Sequence, residues 1–178
     1  MRRSRARHDD GHMTNVNAVT RTRAPLGTLA AAVVLVAAVP VATWWLTGQQ
    51  NAQGFAPSEL DYAVRPLALG PGLETALGAV ALALAGVSAG ALLRASWQER
   101  FDPRWWQVVL PLLAAGMLLG VGWRILTAGV IGANIGAGFV VLLGDPAVAA
   151  LVLWAVGCGL GLRFSKAAPT RTRTRPTP

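Results

Sequence analysis

Few side chains in this sequence could do chemistry, and most of those stand at the edges of apolar runs. Arg124 closes one uncharged stretch, Asp145 opens another, and Asn134 is the lone polar side chain of GVIGANIGAG, residues 129–138. An ion held within an apolar crossing is a functional hypothesis by default. Arg124, however, stands beside Trp123 at the end of its run, where a long side chain reaches back to headgroups. Asp145, at the same level on the neighbouring run, is its expected ion-pair partner, and a substrate or gating role is the alternative. Asn134 fits a turn residue, helix glue or a selectivity element.

Catalytic chemistry is harder to assemble. General acid–base and nucleophilic catalysis need a partnered group, and no His, Asp or Lys shares an apolar run with Ser88 or Cys158. Both histidines, His8 and His12, precede the first run, and the single cysteine excludes an internal disulfide and a cysteine-based zinc site. Glu59 and Asp61 stand two apart in a loop, a weak paired-carboxylate arrangement. The glycine pattern at 132–138 lacks the lysine and the preceding soluble strand of nucleotide-binding loops. The expectation is therefore no catalytic residue, no metal and no cofactor.

The elements that must position these residues follow from charge distribution. The chain has 178 residues, 53% hydrophobic and 13% charged, against about 25% charged in ordinary soluble domains. A crossing of lipid needs about 20 apolar residues. Four runs qualify, at about 26–46, 73–93, 105–125 and 146–163. The first contains Pro40 and closes on Trp44 and Trp45, as interfacial aromatics do. Those two tryptophans and Pro40 also fit poorly with a cleavable signal peptide. Arg2-Arg3 lies too far from the run for an export signal, and Met13 is an alternative start. Glu74 falls in the first turn of the second run, where the helix dipole favours an anion. Asp145-Pro146 marks the start of the fourth, a capping carboxylate before proline. In the intervening loop, Ser58 and Asp61 resemble a capping box and suggest a helical turn.

The net charge of +8 is not spread over a folded face, as nucleic-acid binding requires; it flanks the apolar runs. Residues 1–25 hold Arg2, Arg3, Arg5, Arg7, Arg21 and Arg23. The 94–104 loop holds Arg94, Arg100 and Arg104, and the C-terminal segment holds Arg163, Lys166, Arg171, Arg173 and Arg175. The other two connections hold one cation each, Arg65 and Arg124. The positive-inside rule then puts both termini in the cytoplasm. Residues 1–25 and 164–178 are expected to be disordered tails attracted to anionic lipid, flanking a transmembrane domain at 26–163.

That orientation forbids a fifth crossing at 126–143, although the segment is apolar and uncharged. Glycine permits positive φ and close backbone approach, so a re-entrant loop is one expectation, buried in protein as such backbone must be. An extended helical hairpin that returns as an outer cap, and a loop lying on the surface, are the others. Small residues four apart, which let helix backbones meet, occur as Gly86/Gly90, Gly116/Gly120, Gly132/Gly136 and Gly157/Gly161.

The expected fold class is thus an all-α integral membrane protein of the cell membrane, with four transmembrane helices in a small bundle and a Gly-rich re-entrant or capping segment between the third and fourth. Its composition points to a bacterial chain with a GC-rich genome. The expected function is a non-catalytic accessory or scaffolding subunit of a membrane complex, with a homo-oligomer or a membrane-protein partner and no nucleic acid. An oligomeric channel or transporter with 126–143 as filter or gate is the alternative. A topology reporter fused after Pro178 should report the cytoplasm and one inserted at Gly54 the exterior; a C-terminal reporter outside the cell would contradict the even number of crossings.

Overall fold

The computed structural model describes residues 26–54, 56, 60–67, 69–130 and 133–165. Its long helices are α1 (Leu26–Thr47), α2 (Pro71–Trp97), α3 (Trp106–Leu126) and α5 (Asp145–Ser165), with a short α4 (Ala133–Phe139) before the last. No strand occurs among the described residues. Four helical stretches are long and apolar enough to cross a membrane: Leu26–Thr47, Pro71–Trp97, Pro103–Leu126 and Ala133–Phe164.

Helix α1 is the centre, with α2 and α3 packed on it. Leu35 and Val39 of α1 meet Leu92 of α2, Val109 of α3 and Phe101 in the buried core. Closeness at the α1–α3 contact comes from missing side chains. A Cβ on Gly120 would lie 2.5 Å from the Pro40 carbonyl oxygen and 2.9 Å from the Trp44 nitrogen. A Cβ on Gly116 would lie 3.2 Å from the Pro40 ring. The Gly116/Gly120 pair is therefore an internal seam. On α2, Gly78 gives its space to the Trp45 indole, which a Cβ would overlap at 1.9 Å. Gly86 and Gly90 differ: a Cβ on either meets nothing within 4 Å.

The α2–α3 connection is built from the helix end outward. Gln98 N–H donates to the Arg94 carbonyl (3.1 Å) and Arg100 N–H to the Ala95 carbonyl (3.0 Å), a six-to-one closure like that of a Schellman motif. Glu99 takes the left-handed conformation, φ 56°, that this closure demands. Phe101 is then buried and meets Trp106 edge-on at 5.8 Å. Asp102 caps the 3₁₀ turn Pro103–Trp105 by accepting from Arg104 N–H at 3.0 Å.

The fourth helical stretch departs most from expectation. It begins at Ala133, not Pro146, and runs through a π-helical turn at Val140–Gly144. The physical reason is Pro146. A proline inside a helix has no N–H and its ring collides with the carbonyl four residues back. Widening the preceding turn relieves the collision, and Asp145 N–H accordingly donates to the Val140 carbonyl, five residues back. Asp145 has αR backbone, φ −61° and ψ −46°, and is inside the helix rather than capping it. The chain turns at Thr127–Val130; Ile131 and Gly132 lie outside the described residues. Asn134 and Gly136 are helical, Asn134 exposed and Gly136 facing Ile125. Among the long helices this last one packs mainly on α3, and only 6% of its most apolar window is buried against 33% for Pro103–Leu126. It is attached along one face. The helical turn expected near Ser58 is absent from the described residues of that loop, while Ser58 itself lies outside them.

A methyl group tests the seam. Gly120→Ala should lower stability by about 1–3 kcal/mol, the usual cost of overpacking, measured by thermal unfolding in detergent, while Gly90→Ala should leave it unchanged. Equal effects would show that α1 and α3 are not packed through Gly120.

Candidate functional site

The polar centre of the molecule is Arg124, in the last turn of α3 and 3% exposed. Burial of a guanidinium demands partners for its donors. Its Nε–H donates to the Trp44 carbonyl at 2.8 Å and Nη1 to Gln49 Oε1 at 2.7 Å. Nη2 donates to Glu74 Oε1 in an ion pair. The guanidinium carbon also lies 4.2 Å from the centroid of the Trp44 ring, a cation–π contact.

Two of the partners, Trp44 and Glu74, stand at helix termini. Trp44 belongs to the last turn of α1, where carbonyls lack intrahelical donors; the Gly48 N–H turns instead to the Trp45 carbonyl at 3.1 Å. Glu74 lies in the first turn of α2, at the positive end of that helix dipole, and Arg124 at the negative end of its own. One planar group therefore fastens the end of α1, the start of α2 and the end of α3.

The loop after α1 completes the arrangement. Gln49 Nε2 donates to the Thr127 carbonyl (2.8 Å) and to Asn51 Oδ1 (2.9 Å), and Asn51 Oδ1 accepts from Gly129 N–H at 2.9 Å. Backbone bonds join Ala52 N–H to the Gly129 carbonyl (2.8 Å), Val64 N–H to the Leu126 carbonyl (3.0 Å) and Val130 N–H to the Asp61 carbonyl (3.2 Å). Thr127, 1% exposed and just past the end of α3, returns its hydroxyl to the Trp123 carbonyl four residues back at 2.8 Å. Gly129 is required here: a Cβ would lie 2.7 Å from the Tyr62 ring. Residues 49–52 and 61–64 thus cover the turn after α3.

The expected Arg124–Asp145 pair does not form. Asp145 is exposed and twelve residues into the helix that starts at Ala133, a rise of about 18 Å. It lines a groove of about 340 Å³ between α3 and the π turn, whose other lining residues include Leu118, Trp123, Phe139, Leu143 and Val148. Glu74 takes its place because a four-residue first turn at the same end reaches Arg124 directly. Gln49 and Asn51 were not legible as site residues; the density of amides in TGQQN, residues 47–51, is the only sequence signal for them. The structure leaves Gly86, Gly90 and Gly136 away from Arg124, on helix faces, and Asn134 forms no part of the network around it.

The chain matches no protein-family model, and neither a curated protein nor a solved structure is similar to it. Its class therefore rests on its own architecture: an all-helical chain with four stretches long and apolar enough to cross a membrane.

Breaking a buried ion pair from one side leaves an uncompensated charge, at about 3–5 kcal/mol. Glu74→Leu should cost that much, because it leaves the buried Arg124 guanidinium without its counter-charge, whereas Arg124→Leu removes the buried charge itself and should cost about 1–3 kcal/mol for the Trp44 and Gln49 acceptors it strands. Glu74→Gln should cost about 1–2 kcal/mol, because Glu74 is 31% exposed and the amide oxygen still accepts. Combining Arg124→Leu with Glu74→Leu should recover part of the loss. Strict additivity in thermal unfolding would contradict the pairing.

Proposed function

We propose that the chain is a non-catalytic accessory or scaffolding subunit of a membrane complex, crossing the cell membrane four times with both termini in the cytoplasm. In this orientation the Arg124 end lies outside, and the 94–104 loop lies inside with the basic terminal segments. Those segments would then rest near anionic lipid, at about 1 kcal/mol per cation close to the surface.

The observation that carries the reading is the direction in which the glycine pairs face. Gly116/Gly120 is consumed internally against Pro40, whereas Gly86/Gly90 on α2 and Gly157/Gly161 on α5 open onto empty space. In lipid, apolar side chains gain nothing by leaving the bilayer for a neighbouring helix; close approach at small residues supplies the association energy instead. On α5 the open glycines share a stripe with Ala150, Trp154 and Phe164, at spacings of three and four, and Trp154 and Phe164 are both exposed. A mid-helix tryptophan beside outward glycines is a shape for another helix to read. The site of greatest polarity meanwhile has a structural use, since Arg124 meets Trp44, Gln49 and Glu74. The channel reading draws less support: residues 133–143 are helical, and Asn134 is exposed.

Affinity purification of the full chain from native membranes, followed by mass determination, tests this. A different membrane protein should co-purify at fixed stoichiometry. Gly157→Leu with Gly161→Leu should reduce its recovery by about tenfold, with the chain's own melting temperature held. A chain recovered alone, or a partner indifferent to both leucines, would overturn the reading.

A further inference from the structure

The Asp145 groove has a chemistry that the Arg124 network does not use. Asp145 is the only charged residue lining it, and its carboxylate has no hydrogen-bond or ion-pair partner among the described residues. The one buried cation on α3, Arg124, is turned to Glu74. Around Asp145 the wall is aliphatic and aromatic, with Leu118, Trp123, Phe139 and Val148. The backbone adds acceptors on the same turn. Asp145 N–H donates to the Val140 carbonyl and Pro146 has no N–H, so the Val141 and Leu142 carbonyls both lose their usual donors four residues on. The carboxylate thus lines a groove of otherwise apolar and aromatic residues and has no protein partner of its own among the described residues.

An unpartnered carboxylate against apolar walls calls for a positive ligand with an apolar body. We propose that this groove binds an amphiphilic organic cation, with Asp145 as counter-ion and Trp123 as an aromatic wall. The volume of about 340 Å³ admits one or two rings bearing a substituted ammonium, and aromatic faces attract such cations. A lipid amine headgroup shares the charge, but its ammonium belongs at the surface. Asp145 instead lies well along its helix, facing the stretch of α3 between Leu118 and Leu126. The occupant is a membrane-dissolved cation. This proposal rests on the membrane reading but not on a partner subunit.

The test uses the full chain in nanodiscs of phosphatidylglycerol and a photoreactive probe, (4-benzoylbenzyl)trimethylammonium, with labelled peptides found by mass spectrometry. Label should concentrate in peptides covering 118–126 and 139–148 and be displaced by excess benzyltrimethylammonium. Asp145→Asn should reduce labelling about tenfold, while Asp145→Glu should retain it. Ala147→Phe, which fills the groove and leaves the carboxylate, should also remove it. Undiminished labelling in Asp145→Asn or Ala147→Phe, or label spread evenly over all four helices, would overturn the assignment. Complete displacement by added phosphatidylethanolamine would overturn it too, by giving the groove to a lipid headgroup. Co-purification of a foreign subunit bears on none of these outcomes, so the two proposals fail separately.

Discussion

One guanidinium with almost no access to solvent has to be satisfied, and that requirement organises one end of this molecule. Arg124 meets a backbone carbonyl, an amide oxygen, a carboxylate and an indole face. Three of those four belong to helix ends: the Trp44 carbonyl and indole close α1, where the carbonyl is an orphan acceptor, and Glu74 opens α2, where the dipole favours its negative charge. The group therefore ties the end of α1, the start of α2 and the end of α3 to one point. The 47–52 loop follows from it: Gln49 both accepts from Arg124 and donates to the Thr127 carbonyl, so its amide cannot turn without losing one bond.

Packing away from that end depends on absent atoms. Gly120 lets the Pro40 carbonyl approach, Gly78 admits Trp45, and Gly129 admits Tyr62. These contacts hold α1, α2, α3 and the covering loop as one unit. The last helix stands apart from this scheme. It touches α3 along one side, where Gly122 faces Val140 and Gly136 faces Ile125, and its remaining apolar surface is open. Three helices are thus fastened to one another, and the fourth is held along one face.

Much of this was legible in the residues. The four apolar runs coincide with the four long helical stretches to within a few residues at most ends, because hydrophobic length is a strong signal. The fourth start was misplaced by thirteen residues' worth of helix. Asp-Pro is ordinarily a start signal, but a π turn lets proline sit inside a helix, and no local pattern announces that turn. The partner of Arg124 was misassigned for a related reason. Asp145 looked level with Arg124 only if its helix began there; once the helix begins at Ala133, Asp145 is carried inward and Glu74 is the acid at the right end. Glycine pairs were legible as packing motifs, whereas which of them face inward depends on the placement of Pro40 and Trp45, which sequence spacing does not specify.

Arg124 holds the 47–52 loop against the turn after α3 through Gln49. Hydrogen exchange of backbone amides in Arg124→Lys, compared with the parent chain, tests it most directly, since lysine keeps the charge but lacks the planar fork. The Ala52 and Gly129 amides, both bonded across that junction, should be protected in the parent and lose protection together in the variant, with the α2–α3 turn near Arg100 unaffected. Protection at Ala52 and Gly129 that survives the substitution would mean the loop holds itself, and Arg124 would be a passenger at that end of the molecule.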